Sequence, residues 1–197
     1  AHTDSNHAWV EVWIDGDWEF LGACEPEPEL NVAWFNQPAA RAMLMHTRVY
    51  GDYHGPEDVI QKSECYTEIN VIDNYAPMRN SVVTVVDAEG KAVEGATVEF
   101  QIFNYGEYTT VVTLPTDANG EVSLHMGLGD MIVWASHEGR FGFDKLSAEE
   151  LTIELKYKEG DVIEFDADVT PPVPGDIPVN VTDEAVALNK KRLAEED

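Results

Sequence analysis

Basic residues are scarce in this chain: 12 lysines and arginines stand against 38 aspartates and glutamates, a formal net charge of −26. That charge repels phosphate backbones and anionic bilayer surfaces, which excludes nucleic acid as a partner. The acids are spread along the chain rather than blocked, and so read as a solvated acidic surface. Long apolar runs are absent too, so no helical membrane span is expected. A signal-peptide pattern is also absent. Cysteine occurs twice, as Cys24 and Cys65, which excludes a disulfide scaffold. No Cys-x-x-Cys occurs, and His46 and His54 sit in no metal-ligand spacing. Asp117-Ala118-Asn119-Gly120 brings its glycine two positions too early for an EF-hand loop, and position 126, where the bidentate Glu belongs, is Met126. That glycine reads instead as the positive-φ residue of a hairpin turn. No metal and no cofactor are expected.

What is present begins with Asn6-His7-Ala8-Trp9-Val10-Glu11-Val12-Trp13, then Asp15-Gly16 and Trp18. Residues 8–14 are β-branched and aromatic, Asp-Gly is a strong two-residue hairpin signal, and 17–24 run back as a second strand. The open end of such a hairpin brings His7 close to the Cys24/Glu25 region. A histidine and a carboxylate on neighbouring strand ends are the base and orienter of a nucleophile–base–orienter set. Trp9, Glu11 and Trp13 share one strand face, and Ala8, Val10 and Val12 the other. Glu11 is then either an edge residue in water or a buried acid with a partner. Cys24 is followed by acids at 25, 27 and 29, which would raise a thiol pKa, so it reads as a packing residue rather than a nucleophile.

The pattern His-x-Trp-x-Glu-Val, a turn, a Trp, then an acid followed by Pro resembles the His and acid segment of the transglutaminase-like superfamily. That group contains transglutaminases, peptide N-glycanases and bacterial cysteine peptidases on a papain-like core. The likeness covers about a quarter of the chain, counted to Gly51. The family acid is usually Asp. The matching stretch here is Gly22-Ala23-Cys24-Glu25-Pro26, which is similar to a Gly-Ala-x-Glu-Pro subgroup. The resemblance therefore implies His7 and Glu25 as catalytic residues, with Glu27 as the alternative acid. It implies a nucleophilic cysteine on a helix upstream of His7. The chain starts six residues before His7, so it is expected to be the C-terminal half of the catalytic domain, with that preceding segment as its partner. Bacterial relatives imply a periplasmic, cell-surface or secreted location. Trp9 and Trp34 are candidates for the cleft wall, with core packing as the other reading.

Farther along, Pro38 and the Ala/Arg/Met/Leu run to Met45 predict a short helix. His46–Tyr50 reads as a strand, and 55–60 as a turn into a short helix. From Thr67 the chain becomes a succession of β runs: 67–73, 81–86, 96–103, 108–114, 121–125, 131–136, 140–145 and 151–157. Gly-bearing turns at 87–91 and 117–120 separate some of them. An antiparallel β-sandwich is expected. The stretches 83–98 and 116–121 resemble the carboxypeptidase regulatory-like, Ig-like modules of bacterial surface proteins. Prolines 171, 172, 174 and 178 mark an extended linker over 169–180. Thr182-Asp183-Glu184 then caps a charged helix, 185–196. Asn180-Val181-Thr182 matches a glycosylation pattern but is too short to carry weight.

The expected architecture is thus an α+β papain/transglutaminase-like half-domain over 1–65, an all-β Ig-like sandwich over 66–168, and a linker with the start of a helix over 169–197. Two functions are expected in competition. One is a transglutaminase-like cysteine hydrolase acting on a peptide or protein substrate. The other is a non-catalytic surface protein whose β-sandwich is the interaction module.

Overall fold

A computed structural model describes residues 8–21, 29–31, 39, 41–55, 58–104, 106–165 and 168–171. His7, Cys24, Glu25, Glu27, Trp34 and the charged helix expected at 185–196 lie outside these residues, as does most of the linker.

Thirteen strands account for the described architecture. β1 (Val10–Ile14) and β2 (Asp17–Leu21) form a hairpin. β3 (His46–Tyr50), β4 (Val59–Lys62) and β5 (Tyr66–Asn70) form a three-stranded sheet in the order β3-β5-β4, drawing strands from either side of residue 65. β6 (Met78–Val86), β9 (Glu121–Gly127) and β12 (Glu150–Glu154) make a second three-stranded sheet, ordered β12-β6-β9. β7 (Thr97–Asn104), β8 (Glu107–Pro115), β10 (Met131–His137), β11 (Arg140–Leu146) and the two-residue β13 (Tyr157–Lys158) make a five-stranded sheet, ordered β13-β11-β10-β7-β8.

The last two sheets face one another over a single core. Alternation supplies it: Val83 and Val85 from β6, Val98 and Phe100 from β7, Leu124 and Met126 from β9, Met131, Val133 and Ala135 from β10. Fully burying each larger apolar side chain contributes about 1.5–3 kcal/mol. Two connections repeat one device. Asp87 Oδ1 accepts the N–H groups of Glu89 and Lys91, and Asp117 Oδ1 those of Asn119 and Glu121, while Gly90 and Gly120 take positive φ.

The α+β expectation for 1–65 is overturned. Among the described residues helical geometry is confined to Ala39 and a 3-10 turn over Ile72–Asn74. The predicted helix to Met45 gives way to turn and coil over 41–45. Helix propensity is worth only tenths of a kcal/mol per residue, and tertiary bonding outweighs it. Met43 O accepts the Gly127 N–H at 3.0 Å and Met45 O the Val71 N–H at 2.8 Å, while Met43 and Leu44 pack against the sandwich core. Val59 and Ile60, expected to enter a helix, lie in β4.

Two strand expectations also change in detail. The run 67–73 ends as a strand at Asn70, because the Asn70 side chain accepts the Ile72 N–H and starts the 3-10 turn. The run 151–157 divides between sheets: β12 pairs parallel with β6, and β13 joins β11. Ser81 fixes that parallel strand, its hydroxyl donating to the Ala148 carbonyl while the Val82 N–H donates to Glu149 O at 2.7 Å. No helix among the described residues is long and apolar enough to cross a membrane.

Candidate functional site

The β1–β2 hairpin turns at Asp15-Gly16, both with positive φ, as a tight two-residue hairpin loop requires. Its register is one-to-one from Ile14↔Asp17 to Val10↔Leu21. The Asn31 side-chain amide donates a hydrogen bond to the Glu19 carboxylate of β2.

Trp9 stands immediately before β1 and is half-buried. Its indole N–H donates to the Tyr75 hydroxyl at 3.2 Å, and the two rings meet edge to face with centroids 5.2 Å apart. Tyr75 is 4% exposed and packs with Ala39, Met45, Val71 and Trp9. Trp9 therefore serves packing with its ring and hydrogen bonding with its nitrogen. Glu11, two residues on, is the partly buried acid of the two readings given above. Burial pushes its carboxyl above the usual range, and a hydrogen bond from Trp9 pulls it part of the way back.

Two further histidine–carboxylate pairs lie in or beside the β3-β5-β4 sheet. Glu68, on the central strand β5, is completely buried and faces His46 and Arg48 of β3. Arg48 Nε is 3.7 Å from Glu68 Oε2, and the guanidinium lies 4.9 Å from the Tyr66 ring centroid. His125 Nδ1 is 2.9 Å from Asp58 Oδ2, with both side chains more than a third exposed. Cys65 is exposed at the turn into β5, where its backbone N–H donates to Ser63 Oγ. Among the described residues no group of three or more His, Cys, Asp or Glu side chains could hold a metal ion.

Of the site residues singled out from sequence, the structure describes Trp9, and gives it a buried partner 66 positions away. His7, Glu25 and Trp34 lie outside the described residues. Sequence reasoning missed Tyr75, Glu68 and the Asp58–His125 pair. Their partners come from distant strands, and the only local hint was an acid placed between two apolar-facing positions in 67–70. No protein family and no curated protein matches this chain.

Proposed function

We propose that this chain carries the base and the acid of a transglutaminase-like cysteine hydrolase that cleaves amide or peptide bonds. His7 is the general base and Glu25 the residue that orients its imidazole. The nucleophilic cysteine comes from the native protein N-terminal to His7. The thiolate attacks the substrate carbonyl carbon. The carbon–nitrogen bond then breaks as the His7 imidazolium passes its proton to the leaving amine. Water, deprotonated by His7, releases the acid from the thioester and restores the thiol. We propose a periplasmic, cell-surface or secreted location, which rests on the motif's resemblance to bacterial members of that superfamily.

The observation that supports this reading is the hairpin register. It pairs Val10 with Leu21, the ends of β1 and β2 that lie nearest His7 and Glu25 in the sequence. The test uses the native full-length protein. Peptide-amide hydrolysis and the rate of thiol alkylation by iodoacetamide are measured for His7→Ala and Glu25→Gln. The expected result is loss of turnover in His7→Ala, with slower alkylation at neutral pH, and a smaller loss in Glu25→Gln. Unchanged rates in His7→Ala would reject the role.

A second reading, a binding protein whose sandwich is the interaction module, has one observation in its favour. Trp134, Phe141, Phe143 and Tyr157 form a row on the outer face of the five-stranded sheet, and Phe165 of the chain's own extended segment meets Phe143 edge-on at 4.7 Å. A peptide with an aromatic anchor could use the same contact. Under this reading His7→Ala leaves the protein's behaviour intact, whereas Trp134→Ala abolishes peptide capture.

A further inference from the structure

The chain leaves the sandwich by a path that crosses its own outer surface. On β10, Met131, Val133 and Ala135 face the core, so Ile132 and Trp134 face outward. Trp134 stands opposite Phe143 of β11, and Ile132 opposite Lys145. Phe143 and Lys145 therefore share this outer face, and the Trp134 and Phe143 rings stack on it with centroids 4.3 Å apart. After β13 the chain returns to the face and meets it at three points in order. The Phe165 ring stands edge-on to Phe143 with centroids 4.7 Å apart. Three residues on, the Asp168 carbonyl accepts the Lys145 ammonium N–H at 2.9 Å. At the far end, Thr170 O accepts the Asp130 N–H at 2.8 Å, and the Thr170 N–H donates to Asp130 Oδ2 at 2.9 Å.

The last two points use only backbone atoms of the crossing segment. What the face reads is thus one aromatic ring followed by extended backbone. The hold is light. Phe165 keeps 37% of its surface in water and Val162 97%. A segment with so little buried area opens at low cost. From this geometry we infer that the outer face of the five-stranded sheet docks an extended peptide with an aromatic anchor, and that segment 161–171 is its built-in competitor. The segment lifts before a partner peptide lies down. The partner's apparent affinity is then lowered by the fraction of time the face stands open. This inference rests on the second reading above, which supplies the binding surface, and is independent of His7.

The experiment uses the full chain and a fluorescein-labelled synthetic peptide with the sequence of residues 161–171, read by fluorescence anisotropy. Phe165→Ala in the chain loosens the competitor and is expected to raise the peptide's affinity about three- to tenfold over wild type. Thr170→Pro removes the N–H that Asp130 accepts and should act in the same direction. In the Phe165→Ala chain, a further Lys145→Met should weaken binding at least about threefold, with the ring stack left in place. The peptide carrying Phe165→Ala should bind neither chain. If the peptide binds wild type as tightly as the Phe165→Ala and Thr170→Pro chains, and Lys145→Met weakens it, self-occlusion is overturned and the binding surface stands. If it binds none of these chains, the binding surface falls, and this inference with it.

Discussion

Asn70 and His125 are joined across two sheets by a 2.7 Å hydrogen bond, the Asn70 amide donating to the His125 carbonyl. The contact closes a loop, because the Asn70 N–H donates to Asp58 O at 2.9 Å and Asp58 Oδ2 meets the His125 ring at the same distance. Asn70 is buried, and both ends of its side-chain amide are used. Asn70→Ala should therefore lower the unfolding free energy by about 1–3 kcal/mol, since it strands a part-buried carbonyl and a buried N–H. Asp58→Ala, at a half-exposed pair, should cost less than about 1 kcal/mol. Urea unfolding of both variants measures the difference; equal costs would show that Asn70 is not the stronger tie.

Glu68 offers a second contrast. Its carboxylate is completely buried, while its neighbours His46 and Arg48 keep 23% and 48% of their side-chain surface in water. Glu68→Ala should cost about 2–4 kcal/mol, from the cavity and the broken pairs together. Arg48→Ala should cost under about 1 kcal/mol, because its side chain is about half solvated and its contact with Glu68 is long, at 3.7 Å. Denaturant titration at neutral pH checks the ranking, and a larger loss in Arg48→Ala would reverse it.

The two Asp-to-Gly turns predict unequal tolerance of a methyl group. Gly90 and Gly120 both have positive φ, at 79° and 75°. A Cβ on Gly90 meets nothing within 4 Å, whereas one on Gly120 falls 2.7 Å from Val85 O and 2.9 Å from Val93 N. Gly90→Ala should cost about 1–2 kcal/mol, the left-handed penalty alone. Gly120→Ala should cost at least about 1 kcal/mol more, because backbone atoms must also move. Melting curves of the two variants, taken side by side, decide it.

Asp117 gives a pH dependence with a definite sign. Backbone N–H groups of Glu121 and Asn119 hold its carboxyl below the ordinary 3.8. The folded pKa therefore lies beneath the unfolded one, and the unfolded state takes up the proton first as pH falls. The stabilisation is complete above about pH 4 and is lost as pH drops through the folded value. Wild type should unfold less readily than Asp117→Asn at pH 7, and the gap should shrink steadily below pH 3.8. A gap that stayed constant down to pH 2 would show that charge is not what the turn uses.

Much of the strand layout was legible before any coordinates. The runs at 81–86, 121–125, 131–136 and 140–145 coincide with β6, β9, β10 and β11 to within a few residues. Alternation is a local property of a half-buried strand, and Asp-x-x-Gly marks the turns by backbone need. The hairpin turn at Asp15-Gly16 was readable for the same reason. The segment 41–45 was misread because alanine and methionine favour a helix only weakly. What decided its conformation was bonding to Val71 and Gly127, residues that no local window contains. For the site, Trp9 and Glu11 were visible as unusual residues on one strand face. That Tyr75 receives the indole was not, since 66 residues separate the pair.

The sequence by itself determined where much of the chain extends and turns, and which strand faces are apolar. These follow from backbone preference and side-chain period, which act over a few residues. Tertiary structure alone decided that β12 lies parallel to β6, that Glu68 is sealed between His46 and Arg48, and that Tyr75 anchors Trp9. Each of these joins groups far apart in the chain. Such contacts form only once burial of a common core has brought the strands together.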